Sequence, residues 1–470
     1  MITIVVVVLA LAAAGCALVN WRQAVLMLVG WGLVEGFVRR VLPGQPAGVM
    51  LVDDGLAFLC YLSFIYWQMG QRKAWQPHFV LPLICFGLFV VIGMFNPRNP
   101  SLWFGLVGFH AYIWYVPLLW LGYFVFEDWE RARRFFWWFC VLSIPMALLA
   151  LYQYRNFGSL PVALAPVQRD IAYHTAAGLV REGIKMVPAF FVNGEKYARY
   201  SLMAFCISLG LLVDGQGTTF QRRATIAAAV ASAAGIFFSG RRSPLYFALI
   251  AFAWLMFGFY TKLGLRRAYR WLAVLVLAAA GVLSTARTEN PNALYYQEST
   301  AAIPTRARWL WGDMADSFLR AGLIGFGTGT ESQGMDYVPG GAVWAANSPD
   351  SAVNLWGETG LGKITEELGI LGVLFFIVLA LTMAAAWFRN LRKLRGTAPY
   401  ALGAALAVYF VMILAWFAKG HQILGDPVTL VEFWFAMGIF FAMPCYRARR
   451  ERPLHPEPVI LAHRTDTEVP

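Results

Sequence analysis

Apolar residues run along this chain in unbroken blocks, not in the one-sided or alternating patterns of a water-soluble domain. The blocks cover about 2–19, 23–40, 50–68, 78–95, 102–126, 135–152, 196–213, 223–238, 243–260, 269–285, 368–387, 399–417 and 429–445. Crossing the hydrocarbon core takes roughly 20 apolar residues, so the pattern predicts an all-α polytopic membrane protein of about 13 transmembrane helices. The first block lacks the basic leading region of a signal peptide and a second block follows at once, so it is read as a helix. Two connections are long, about 153–195 and about 286–367. Long loops carrying Gly, Pro, Trp and charge are more often functional than plain connectors. A single polytopic domain is expected over 1–445, and 446–470, basic and then rich in proline and polar residues, is expected to be a disordered cytoplasmic tail. No internal repeat is visible, which speaks against transporters built from two related halves.

Composition excludes a soluble enzyme on a single anchor. Of 470 residues, 59% are hydrophobic and only 14% charged, with a mean hydropathy of +0.58. An ordinary soluble domain is about 45–50% apolar and about 25% charged. The net charge of +12 would suggest nucleic acid in a soluble chain. In a polytopic chain basic residues belong in cytoplasmic loops and beside anionic lipid, so the bilayer is the expected partner and nucleic acid is not. Sorting the short-loop cations by side leaves Arg39, Arg40, Arg98, Arg241, Arg242 and Lys419 on one face and the great majority on the other. The richer face is therefore cytoplasmic, which places the N-terminus and both long loops outside and the C-terminus inside. The cysteines sit in or at the edge of apolar blocks, without the spacing of a disulfide framework or a zinc site.

Candidate chemistry gathers at the outer helix ends. The first long loop closes on Lys185, Lys196 and Arg199, whose charges either hold an anionic head group or anchor the interface. Arg241 and Arg242 lie in the short turn Ser239–Pro244, where topology disfavours cations. They either snorkel to lipid phosphate or grip a phosphorylated ligand through the guanidinium fork. The second loop carries Arg306 and Arg308, then Gly322–Thr330. No strand–turn–helix unit surrounds those glycines, so a tight turn near a ligand or another helix is preferred to a dinucleotide site. Glu358, Glu366 and Glu367 stand close to the next apolar block, with Lys363 available to neutralise one of them. A carboxylate beside arginines can deprotonate a sugar hydroxyl while a pyrophosphate leaves.

Across roughly 185–390 these features, in this order, resemble the O-antigen polymerase and O-antigen ligase superfamily of polytopic glycosyltransferases. The resemblance rests on Pro188–Asn193 with Tyr197–Ala198, and on the Ser-x-Arg-Arg turn at 239–242. It rests further on Arg306 and Arg308 ahead of Gly322–Gly329, and on Glu367–Gly372 opening the next helix. It implies a metal-independent transferase, without a cofactor, at the periplasmic face of a bacterial inner membrane. The donor would be undecaprenyl-pyrophosphate-linked glycan, with a chain-length regulator or other export proteins as further partners. It also implies that arginines, here Arg241, Arg242 and Arg306 or Arg308, grip the pyrophosphate while a histidine activates the acceptor hydroxyl. The family's histidine position, counted back from Glu367, falls on Glu358–Thr359, and 286–367 contains no histidine. Glu358 is then the expected base, with pairing to Lys363 or an arginine as its structural alternative, and His174 is the second candidate. The missing histidine suggests an exopolysaccharide or capsule polymerase branch; a ligase and, outside enzymes, a flippase are the alternatives. Glu35, Asp53 and Asp54, in or beside early spans, keep the flippase open.

Overall fold

The computed structural model describes residues 15–16, 18–42, 49–70, 75–156, 186–263, 312, 315–331, 359–420, 423 and 425–450. Every extended regular element among them is helical. In chain order they are α1 (Trp21–Val41), α2 (Met50–Met69), α3 (Val80–Met94), α4 (Leu102–Phe109), α5 (Leu118–Val125), α6 (Trp129–Val141) and α7 (Ser143–Arg155). After the first long connection come α8 (Gly194–Asp214), α9 (Thr219–Phe238) and α10 (Arg242–Leu263), then α11 (Gly360–Leu394), α12 (Tyr400–Lys419) and α13 (Pro427–Arg450). A π turn at His110–Trp114 follows α4 in the rod that ends with α5, and only Leu142 separates α6 from α7.

Among the described residues, six helical rods are long and apolar enough to cross a membrane: Leu102–Val125, Trp129–Arg155, Gly194–Asp214, Gly360–Leu394, Tyr400–Lys419 and Pro427–Tyr446. The described part of the chain is thus all-helical and has the long apolar rods of a membrane protein. Other expected spans fall on shorter or more charged helices: α3 has 15 residues, and α1 carries Arg22, Glu35, Arg39 and Arg40. The expected spans at 2–19, save residues 15, 16, 18 and 19, and at 269–285 lie outside the described residues. On its outward stripe α3 presents Leu81, Ile84, Leu88 and Ile92, an apolar surface suited to lipid rather than water.

α8 and α13 form the centre, each with 83% of its spanning window buried, against 33% for α11 at the periphery. Small residues let backbones meet there. A Cβ on Gly122 of α5 would stand 2.2 Å from the Phe435 carbonyl oxygen, and one on Gly438 of α13 would stand 2.1 Å from that of Leu119.

Two boundaries differ from those read off hydropathy. α11 starts at Gly360, before the apolar block at 368, because Thr359 caps it by accepting from the Gly362 amide at 2.8 Å. Lys363, Glu366 and Glu367 are therefore helical and buried. At the other extreme, residues 446–450 of the expected tail continue α13.

The glycine-rich stretch is answered by α11 itself. Gly369, at φ +70°, interrupts α11. In an unbroken helix the Ile370 and Leu371 amides would bond the carbonyls of Glu366 and Glu367. Here they donate to Gly322 and Leu323 at 3.1 and 3.2 Å, and the freed carbonyls accept from Phe326 and Gly327 at 2.7 and 2.9 Å. All four backbone groups that the break would strand are thereby paired. Asn96, beyond the end of α3, donates to the Gly325 carbonyl at 3.1 Å, and Thr328 donates to that of Val90 at 2.7 Å. This turn places backbone against a helix, the second of the two alternatives open in the sequence.

Candidate functional site

One end of the bundle gathers the start of α8, the α9–α10 turn, the end of α12 and the start of α13. Asn193 caps α8 by accepting from the Lys196 amide at 3.0 Å, and this fixes the first turn from which Glu195, Lys196 and Arg199 project. Glu195 and Arg199, one turn apart, pair at 2.6 Å. The Arg199 guanidinium also meets Asp426 at 2.7 Å, donates to the Thr429 hydroxyl at 3.2 Å and lies over the Trp416 ring at 5.6 Å. The remaining Asp426 oxygen faces Lys196 Nζ at 3.0 Å, and the remaining Glu195 oxygen faces Arg241 at 3.2 Å.

The result is a chain of alternating sign, Lys196, Asp426, Arg199, Glu195, Arg241. Its interior is sealed: the side chains of Arg199, Asp426 and Glu195 are 2%, 4% and 8% exposed. Its two ends are cations with access to the surroundings, Lys196 at 16% and Arg241 at 32%. Burial alone would raise the Asp426 pKa, but Lys196, Arg199 and the Thr429 hydroxyl outweigh it and hold the carboxyl below the ordinary aspartate range. Glu35 and Asp53 also act electrostatically on Lys196, extending the charged network to α1 and α2.

Arg241 sits in a turn built on the buried Ser239, whose hydroxyl donates to the Ile236 carbonyl at 2.6 Å and accepts from the Arg241 amide at 3.3 Å. Arg242 opens α10 immediately after it. Lys419, at the end of α12, donates to the Ser243 hydroxyl. The structure thus brings Lys196, Arg199 and Arg241 into one network. Glu358, His174, Arg306, Arg308 and Lys185 lie outside the described residues.

The Pro188–Asn193 segment is clamped rather than open. Ala189 adopts φ +49°, an uncommon conformation for a residue with a Cβ. Gln153 holds it from both sides, accepting from its amide at 2.9 Å and donating to its carbonyl at 3.1 Å. Arg40 donates to the same carbonyl at 2.6 Å. Arg40 therefore serves as a backbone clamp.

A second buried group joins α11 to the glycine-rich turn. Lys363 and Glu367, 1% and 0% exposed, pair at 3.2 Å, and the Glu331 amide donates to Glu367 at 3.0 Å. Lys363 also lies 5.6 Å from the centre of the Tyr112 ring. Glu366 accepts from Ser317 and Arg320, both at 2.8 Å. Lys363 thus neutralises a glutamate, as the sequence allowed, and among the described residues it pairs with Glu367.

A third group joins Asp54, noted in the sequence, to His110, which was not singled out there. His110 Nε2 meets Asp54 Oδ1 at 2.7 Å, and the Tyr115 hydroxyl donates to the same oxygen at 2.6 Å. His110 opens the π turn, a wide turn that recurs at functional sites. Its Nδ1 has no hydrogen-bond partner among the described residues, and its side chain is 35% exposed. The signal available in sequence was a histidine and an aspartate inside apolar blocks, but their separation by 56 positions hides the contact.

Among the described residues no group of three or more His, Cys, Asp or Glu side chains is placed to hold a metal ion. Compared with protein-family models and with curated protein sequences, the chain matches none.

Proposed function

We propose that the protein is a polysaccharide polymerase. It transfers glycan from an undecaprenyl-pyrophosphate carrier onto another lipid-linked repeat unit at the periplasmic face of a bacterial inner membrane. The supporting observation is the charge chain from Lys196 to Arg241: a sealed interior that fixes two accessible cations at one end of the bundle, beside the Ser239–Arg242 turn. Buried ion pairs contribute little net stability because desolvation offsets their attraction. Their value here is to hold the end groups in place.

In the proposed reaction the acceptor hydroxyl attacks the anomeric carbon of the donor sugar. The bond from that carbon to the pyrophosphate oxygen breaks, and the carrier pyrophosphate leaves as an anion. Arg241 and Lys196 face that developing charge, with Arg242, Arg306 or Arg308 completing the grip and Lys185 at the loop's closing edge. Arg199 touches the two carboxylates and acts on the site through them. The proton released by the hydroxyl passes to a base. Glu358, next to the Thr359 cap of α11, is the first candidate and His174 the second. His110 adds a third, since Asp54 orients its ring and leaves Nδ1 available.

A flippase is the second reading, favoured by the pairing of His110 with Asp54 within helical rods, where ionisable groups mark transport routes. A deletion strain separates the two. Lipid-linked glycan accumulating on the outer leaflet supports the transferase, and accumulation on the inner leaflet overturns it. Long chains lost from the wild-type product range identify a polymerase, whereas an uncapped acceptor identifies a ligase.

A further inference from the structure

The second long connection does not stay clear of the rods. Its described stretch, residues 315–331, lies across the ends of α3 and α11, which are themselves neighbours through the Phe89 and Phe375 rings at 5.3 Å. Four successive carbonyls of this stretch are bonded. Those of Gly322 and Leu323 accept from the Ile370 and Leu371 amides of α11, and those of Ile324 and Gly325 accept from the Asn96 side chain at 3.3 and 3.1 Å. The next three amides, of Phe326, Gly327 and Thr328, donate to the carbonyls of Glu366, Glu367 and Gly93. In water a loop can leave such groups to the solvent. In hydrocarbon, irregular backbone is tolerated only where protein satisfies it.

The side chains of the same stretch turn outward. Leu319, Leu323 and Ile324 are 85%, 64% and 51% exposed. Leu323 is bonded to Leu371, which begins an exposed apolar stripe on α11 that continues through Leu374, Val378 and Leu381. Ile324 is held by Asn96, next to the exposed Phe95 and close to Ile92 at the end of the α3 stripe. The three side chains therefore extend two surfaces already suited to lipid.

Their depth follows from the length of α11. Roughly 18 residues, or about 27 Å of helix at 1.5 Å per residue, separate Leu371 from Arg389, the first cation of the basic end. The hydrocarbon core is about 30 Å thick. With the basic end at one interface, Leu371 stands just inside the other, and Leu323 stands level with it.

We infer that residues 319–324 form a membrane anchor: the second long connection returns to the bilayer there, and Leu319, Leu323 and Ile324 insert among lipid acyl chains. Ser317 and Arg320, both bonded to Glu366, hold the preceding turn to α11. The anchor does not depend on the proposed transfer reaction.

The test is photolabelling of the full-length protein in phosphatidylcholine vesicles containing a phosphatidylcholine with a diazirine on its acyl chain, followed by peptide mapping. Adducts are expected on 319–324 as well as on Leu88 and Ile92 of α3. Hydroxyl radicals generated in the water should spare Leu323 and Ile324. The variant Leu319→Gln, Leu323→Gln, Ile324→Gln should lose the adducts on its own segment and keep those on α3. Its melting temperature in detergent should be unchanged, because α11 and Asn96 hold the segment by its backbone. Labelling of α3 without 319–324, or oxidation of Leu323 and Ile324 from the water, would overturn the anchor. Adducts that appear on 319–324 only when the protein is diluted in lipid would also overturn it, in favour of a face between two copies of the chain.

Discussion

The two ends of the bundle use the same ionic chemistry in opposite ways. Where α8 begins, arginine and carboxylate are sealed together, with Arg199 and Asp426 at 2% and 4% exposure. Where α6 begins, Arg22 and Arg131 both pair with Glu127, and these partners are 34%, 62% and 38% exposed. Exposed pairs are worth about 0–1 kcal/mol and can be lost without consequence. A sealed pair costs desolvation to form, yet losing one partner strands the other. The contrast separates pairs sealed into fixed geometry from pairs that the surroundings reach.

Breaking the sealed end should have the largest effect. Arg199→Met takes the buried guanidinium from between Glu195 and Asp426, leaving them only Arg241 and Lys196, and a loss of about 3–5 kcal/mol is expected, read as a large fall in the melting temperature of the solubilised protein. Next comes the glycine-rich turn. Gly325 has φ +69°, and a Cβ there would stand 2.5 Å from the Glu367 carbonyl oxygen. Gly325→Ala should cost about 1–3 kcal/mol in the same assay.

A smaller effect is expected from pH. The folded pKa of Asp426 is depressed by Lys196 and Arg199, so its stabilising contribution is complete above the ordinary aspartate value of about 3.9. It is lost as pH falls through the lower folded value. Melting curves should therefore weaken on the acid side, and Asp426→Asn should flatten that limb. The smallest change belongs to the other end. Arg131→Ala should alter stability by no more than about 1 kcal/mol, and a loss as large as that of Arg199→Met would erase the distinction between the ends.

The membrane character and the rods were legible in sequence, because roughly 20 apolar residues in a row are a strong local signal. Arg241 was legible as a cation where the expected topology disfavours one, and Lys196 and Arg199 as charges closing the first long loop. Their partners were not. Asp426 lies 227 positions from Arg199, and no periodicity connects a residue just before α13 with one in the first turns of α8. The start of α11 was misjudged for a related reason. Hydropathy counts Lys363, Glu366 and Glu367 as loop, whereas their pairing lets the helix bury them. The outcome at Gly322–Gly329 shows the converse: glycine spacing signalled a backbone approach, and only the broken ladder of α11 identifies what is approached.

The most direct test of the account uses Arg241→Gln, which removes the accessible cation while leaving Glu195 paired with Arg199. The strain carrying it should keep normal levels of membrane protein with an unchanged melting temperature. It should lose polymer and accumulate lipid-linked glycan on the outer leaflet. Polymer of normal amount and length from that strain would contradict the assignment of this end as the transfer site.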